Sequence, residues 1–169
     1  DSDGDGLNDG FEVEEGSDPT DPQSYPTRVL SVSNTNNGTV SGAGIYPLGS
    51  VASAEASPAL GYLFTGWTGD GSGTDNPLAL VMDGNQTVGA IFIRDEGDLD
   101  GDGLNNYQEL VLHGTDPINA DSDGDGFNDG DEIAEGSDPN DAGSVPATDE
   151  NRRIPISLSA INLGPGQDA

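Results

Sequence analysis

The amino-acid sequence predicts a mainly β protein, and three observations carry the prediction. Between residues 27 and 94, six runs of alternating or β-branched apolar residues are separated by turn residues. The 26 glycines and 11 prolines among 169 residues favour chain reversals over a helical bundle. The remaining helix signals are short, since each follows one of three acidic stretches and stops at a glycine.

In chain order, the first acidic stretch is DSDGDGLNDGFE from Asp1. Its alternating aspartates closed by a glutamate have the spacing of a 12-residue loop that offers oxygens from positions 1, 3, 5, 7, 9 and 12 to a hard cation. Asp1, Asp3 and Asp5 supply side chains, Leu7 its carbonyl, Asp9 an oxygen through water and Glu12 both carboxylate oxygens, while Gly6 permits the sharp turn. DLDGDGLNNYQE repeats the set as Asp98, Asp100, Asp102, the Leu104 carbonyl, Asn106 and Glu109. DSDGDGFNDGDE gives Asp121, Asp123, Asp125, the Phe127 carbonyl, Asp129 and Glu132, with Gly103 and Gly126 at the two corresponding turns. Three complete, oxygen-only ligand sets point to Ca²⁺.

The segments NDGFEVEEG, NNYQELVLHG and NDGDEIAEG after the loops are expected to form short helices ending at glycine C-caps. A GSDP or GTDP turn follows each, and Asp18, Asp116 and Asp138 there either cap the next backbone segment or lend an accessory oxygen to an ion. Residues 1–25 and 121–145 align without a gap and are identical at 17 of 25 positions, so the chain contains an internal repeat.

The middle strands are RVLSVSN from Arg28, GTVSG from Gly38, SVASAEAS from Ser50, GYLFTGW from Gly61, LALVM from Leu78 and TVGAIFI from Thr87. Asn37-Gly38, Pro47-Leu48-Gly49, Pro58, the stretch from Gly69 to Pro77 and Asp83-Gly84-Asn85 supply the turns. Tyr62, Phe64 and Trp67 are the expected core aromatics. Trp67 beside Tyr62 could also form a sugar-stacking platform, but its place within an alternating strand favours the core.

Charge separates the segments. Of 32 acidic residues, nine fall in residues 1–22 and sixteen in 95–142, against four in 27–94. Without a counter-ion the flanks would repel themselves into disorder. Three divalent ions would change the formal net charge only from −28 to −22, so their effect is local, inside each loop. The acidity disfavours nucleic acid and anionic membranes as partners, and no apolar run approaches the roughly 20 residues of a membrane span. With no cysteine, calcium takes the place of a disulfide staple. Extracellular calcium modules work at about 10⁻⁴–10⁻³ M, a level the cytosol does not offer. Asp1 is a ligand position, where a free amino group would sit beside the metal, so the sequence is expected to be a segment of a longer or processed precursor.

His113 is the only histidine and stands near a helix C-terminus, and the carboxylates are explained by the loops, so catalysis has no positive signal. The last segment alternates Ile154, Ile156, Leu158 and Ala160 as a strand does. Arg153 to Leu163 is expected to pair with the β domain of a neighbouring copy, to fold back on its own domain, or to begin a further one. Pro155 restricts it to an edge or donor position.

The loops with their GTDP-like tails resemble bacterial thrombospondin type 3-like calcium repeats over residues 1–22 and 98–142. They resemble EF-hand loops less, because Asn8, Asn105 and Asn128 occupy the position that is usually branched and apolar. The stretch GYLFTGWTGDGSGTDNPLALVMDGNQTVGAIF resembles a divergent internalin B-type repeat of bacterial surface proteins. That resemblance implies a small β-grasp-like module used in tandem as a spacer or adhesive element.

The expected organisation is a calcium-binding repeat at 1–26, the internalin B-type β domain at 27–94, two calcium-binding repeats at 95–144, and a linker with a C-terminal β-strand at 145–169. The expected function is that of a calcium-stiffened structural module of a secreted bacterial surface protein, adhesin or fibre, self-associating or arrayed in tandem and located outside the cell. A carbohydrate- or receptor-binding adhesion module, with a glycan or cell-surface ligand, is the alternative. An enzyme is not expected.

Overall fold

The structure, a computed structural model, describes residues 1–33 and 35–147. It is mainly β. A helix α1 (Asp9–Glu15) precedes seven strands: β1 (Thr27–Val32), β2 (Gly38–Ser41), β3 (Gly44–Pro47), β4 (Val51–Pro58), β5 (Tyr62–Gly69), β6 (Leu78–Val81) and β7 (Gln86–Arg94). A π-helical segment, Gln108–His113, and a helix α2 (Asp129–Glu135) follow. No described helix is long and apolar enough to cross a membrane. The expected strand from Arg153 to Leu163 lies outside the described residues.

The strands form a four-stranded sheet, ordered β3-β1-β7-β5, and a three-stranded antiparallel sheet, ordered β2-β4-β6. In the first sheet β1 and β7 run parallel at the centre, each with an antiparallel partner outside it. This is the strand arrangement of a grasp fold, with the second sheet covering the face a helix would occupy. Alternation explains why the sheets meet. In β4, Ala52, Ala54 and Ala56 are buried while Val51, Ser53 and Glu55 face out. Their small side chains meet Leu30, Trp67, Val88 and Phe92 from the first sheet, and Leu80 and Met82 complete the core. Tyr62 and Phe64 are only half-buried against it.

Two local features depart from simple alternation. Strand β5 carries a bulge between Phe64 and Gly66, which shifts the pleat so that Trp67 pairs with Ala90 and turns inward. Gly38 is required by packing, because a Cβ there would meet the Phe92 ring at 2.5 Å.

The flanking segments are fastened to the β domain. On the N-terminal side the Arg28 guanidinium pairs with Glu15 at the end of α1. On the C-terminal side the Tyr62 and Tyr107 rings meet edge to face at 5.3 Å, and the Arg94 guanidinium lies 4.7 Å from the Tyr107 ring centre.

Candidate metal centre

The three acidic loops share one backbone design. Each aspartate at positions 1, 3 and 5 accepts a hydrogen bond from an N–H of its own loop, and Asp98 and Asp121 accept a second with the other carboxylate oxygen, from Gly103 and Gly126. In the first loop the Gly4, Asp5 and Leu7 N–H groups donate to Asp1, Asp3 and Asp5 at 2.6, 3.2 and 2.7 Å. In the second, Gly101, Asp102 and Leu104 donate to Asp98, Asp100 and Asp102 at 2.7, 3.3 and 2.7 Å. In the third, Gly124, Asp125 and Phe127 donate to Asp121, Asp123 and Asp125 at 2.8, 3.1 and 2.9 Å. Gly6, Gly103 and Gly126 lie at φ of 97°, 99° and 99°, the left-handed region that a side chain disfavours.

These turns leave carboxylate oxygens pointing together. Asp1, Asp3 and Asp5 bring ligand atoms within 4.8 Å of one another, as do Asp98, Asp100 and Asp102, and Asp121, Asp123 and Asp125. The second oxygens of Asp3, Asp5, Asp100, Asp123 and Asp125 are buried without a hydrogen-bond partner. Glu12, Glu109 and Glu132 are each 0% exposed, and neither oxygen of any of the three has a partner. Buried carboxylates without donors are costly, and a cation removes that cost.

Their protonation reflects the same strain. Burial, and then the negative charges of Asp5 and Asp3, push the Glu12 carboxyl above its ordinary range. Burial is likewise the first cause for Glu132, reinforced by Asp125 and Asp123. Glu109 is pushed up to about 7, by burial first and then by Asp100, Asp102 and Asp129. The donor set is entirely oxygen, which suits Ca²⁺ rather than a metal selected by sulfur or imidazole.

Position 9 has a part that the sequence did not single out. The Asp9 carboxylate accepts from both the N–H and the hydroxyl of Ser2, each at 2.7 Å, and Asp129 accepts from Ser122 at 2.8 and 2.7 Å. It fastens position 2 and closes the loop. In the second loop Leu99 stands at position 2, and Asn106 instead donates from Nδ2 to Asp95 at 3.0 Å. The pairing of Ser with Asp and Leu with Asn was the available signal. In the turns after each helix, Asp18, Asp116 and Asp138 accept the N–H of Thr20, Ile118 and Asn140, which is the capping arrangement.

The second and third loops meet directly. The Gly130 N–H donates to Asp102 Oδ2 at 3.0 Å, and Asp102, Glu109 and Asp129 have ligand atoms within 4.8 Å of one another. Asp129 is 0% exposed.

Residues 28–96 match the family model of the divergent InlB B-repeat domain, and residues 1–22, 98–120 and 121–142 match that of the bacterial TSP3 repeat. Both resemblances drawn from the motifs therefore stand. TSP3 repeats generally bind calcium, and the two families are consistent with an extracellular or surface repeat module of bacteria. No curated protein and no solved structure matches the chain.

Proposed function

We propose that this chain is a calcium-stiffened, non-catalytic structural module of a bacterial surface or secreted protein. The observation that carries the reading is the set of three fully buried glutamates, Glu12, Glu109 and Glu132, none with a hydrogen-bond partner. Each would hold one Ca²⁺ together with the aspartates at positions 1, 3 and 5 and the carbonyl of Leu7, Leu104 or Phe127. The ion would neutralise local charge and tie the start of each loop to the helix that follows. Because it binds the folded loop, its binding free energy adds to folding. The contacts of Arg28 with Glu15 and of Arg94 with Tyr107 would pass that rigidity to the β domain.

Calorimetric titration of the calcium-free chain tests this reading. At least three ions per chain at millimolar Ca²⁺ are expected, with loss of one on Asp123→Ala, and fewer than three would overturn it. A sugar platform at Trp67 is not supported, because Trp67 is only 6% exposed and its indole N–H donates to the Asp75 carbonyl at 2.8 Å. Self-association through residues 153–163 is part of the proposal. The edge strands β3 and β5 are candidate acceptors of such a strand, and Ile156→Asp should abolish assembly if donation occurs.

A further inference from the structure

Granted self-association through residues 153–163, we propose that its acceptor is the outer edge of β3, where that segment of a second copy adds as an antiparallel strand and seats Ile154 in the groove between the first loop and the β domain. Strands β3 and β5 are the two ends of the four-stranded sheet, and β5 is protected. The Tyr62 N–H already donates to the Ala59 carbonyl and the Trp67 N–H to the Gly73 carbonyl, both at 3.0 Å, and a bulge lies between them. The backbone of β3 is open. The Val29 N–H donates to Asn85 Oδ1 and the Ser33 N–H to the Val88 carbonyl, both at 2.8 Å, so alternate residues of β1 from Val29 turn toward β7. Val29 therefore exchanges no backbone bond with its partner Ile45, whose N–H and C=O turn outward from the sheet edge. Ile45 is 72% exposed, the most exposed large apolar side chain among the described residues of the β domain.

Where β3 ends, a groove of about 150 Å³ is lined by Asp5, Phe11, Tyr25, Pro26, Pro47 and Leu48. Phe11 and Tyr25 remain exposed in it. The third repeat is identical to the first at 17 of 25 positions but carries Asp131 and Val145 in place of these two aromatic residues. The aromatic pair thus belongs to the repeat that stands at the β3 edge, and it leaves room for one further apolar side chain.

Charge selects the occupant. Residues 22–54 contain no acidic residue in a chain of net charge −28, so β1 to β3 lie in the stretch that a second copy approaches with least repulsion. Residues 152–167 are also free of acid and hold two of the four Lys and Arg residues. Pro155 sets which side of the donor faces β3. With its missing N–H turned away, the N–H and C=O groups of Ile154, Ile156 and Leu158 turn toward the edge. Ile156 opposite Ile45 then continues the apolar row begun by Val29. Antiparallel pairing places Ile154 at Pro47, over the groove, and brings Arg153 toward the acidic first loop. Donor and acceptor are different surfaces of one chain, so the contact propagates as a filament unless the rotation closes a ring.

Sedimentation velocity of the full chain in millimolar Ca²⁺ reads the assembly, with circular dichroism to confirm the fold. The unaltered chain and Leu63→Asp, on β5, are expected to assemble, and Ile45→Asp is expected to stay monomeric with an unchanged spectrum. Disulfide trapping gives an independent check, because the chain has no cysteine. Copies carrying Ile45→Cys and Ile156→Cys, mixed in oxidised glutathione, should yield a mixed dimer, and Leu63→Cys with Ile156→Cys should not. A monomeric unaltered chain would overturn self-association and the edge assignment together, leaving the calcium reading to the ion count. Assembly of Ile45→Asp, or trapping of Ile156→Cys by Leu63→Cys in place of Ile45→Cys, would overturn the β3 edge alone. Should Ile45→Asp lose the folded spectrum, the trapped dimer decides, and its absence overturns the assignment.

Discussion

The buried glutamates make the metal-free chain sensitive to pH in a direction set by their raised pKa values. Glu109 titrates near 7 in the folded chain against an ordinary 4.5, so between those values the folded state holds a proton that the unfolded state has released. Metal-free stability therefore falls as pH rises through that window and levels off above about 7. Calcium needs the ionised form, so binding at pH 6 should expel a proton. Calorimetry at pH 6 in two buffers of different ionisation enthalpy should give different apparent heats, and equal heats would contradict the linkage. A second residue-scale prediction concerns two glycines equivalent by repeat. A Cβ on Gly130 would meet the Asp102 carbonyl oxygen at 2.3 Å, whereas one on Gly10 meets only Asn8 Oδ1 at 3.2 Å. In saturating calcium, Gly130→Ala should cost about 1–3 kcal/mol of stability. Gly10→Ala should be neutral or gain up to about 1 kcal/mol from helix propensity. Equal melting temperatures for the two variants would refute the close approach between repeats. The clustering of the aspartates at positions 1, 3 and 5 could be read because a loop of this pattern fixes residue type at fixed spacing. The Gly130 contact could not be, because the sequence of α1 and α2 is alike at that point and only the preceding repeat distinguishes them.

At the scale of elements, the strands were legible wherever alternation was clean, as in β4 with its three inward alanines. Strand β3 carries little strand signal because GIYP is four residues long and ends in a proline that reads as a turn. The bulge in β5 has no sequence signal of its own, since the Thr65-Gly66 pair carries no mark of the extra residue until the strand is set against β7. The π-helical segment has a cause that was present in the sequence. Glu109 is five residues before its capping glycine, Gly114, whereas Glu12 and Glu132 are four before Gly16 and Gly136. The chain absorbs the inserted residue by widening the turn, with the Gly114 N–H donating to the Glu109 carbonyl at 2.6 Å. The two kinds of element should also respond differently to a chelator. The β domain buries its own apolar core, from Leu30 to Phe92, and the loops bury unpartnered carboxylates. Hydrogen exchange in EDTA should therefore keep protection in residues 27–94 and lose it in 1–22 and 98–142. Equal loss in both would show that the β domain depends on the metal loops.

Over the whole molecule, the proposed stiffness would depend on the joints between the β domain and the loops as much as on the loops themselves. The C-terminal joint is the better defined. Tyr107, just before the π-helical segment, stacks edge to face on Tyr62 and receives Arg94 on its ring, while its N–H donates to the Asp95 carbonyl at 3.0 Å. Gly61 lets the segment approach, because a Cβ there would meet Val111 at 2.7 Å. Calcium would order the second and third loops, but their orientation on the β domain rests on this aromatic contact, worth about 1–2 kcal/mol. Tyr107→Ala should therefore keep its calcium count and lose its fixed angle. The chain has no cysteine, so spin labels on cysteines introduced at Ser53 and Ala134, both exposed, report the angle alone. Pulsed dipolar spectroscopy in calcium should show one narrow distance for the otherwise unchanged chain and a broad distribution for Tyr107→Ala. EDTA should broaden both. If Tyr107→Ala stays narrow in calcium, the joint is held by the metal loops alone and the aromatic contact has no mechanical part.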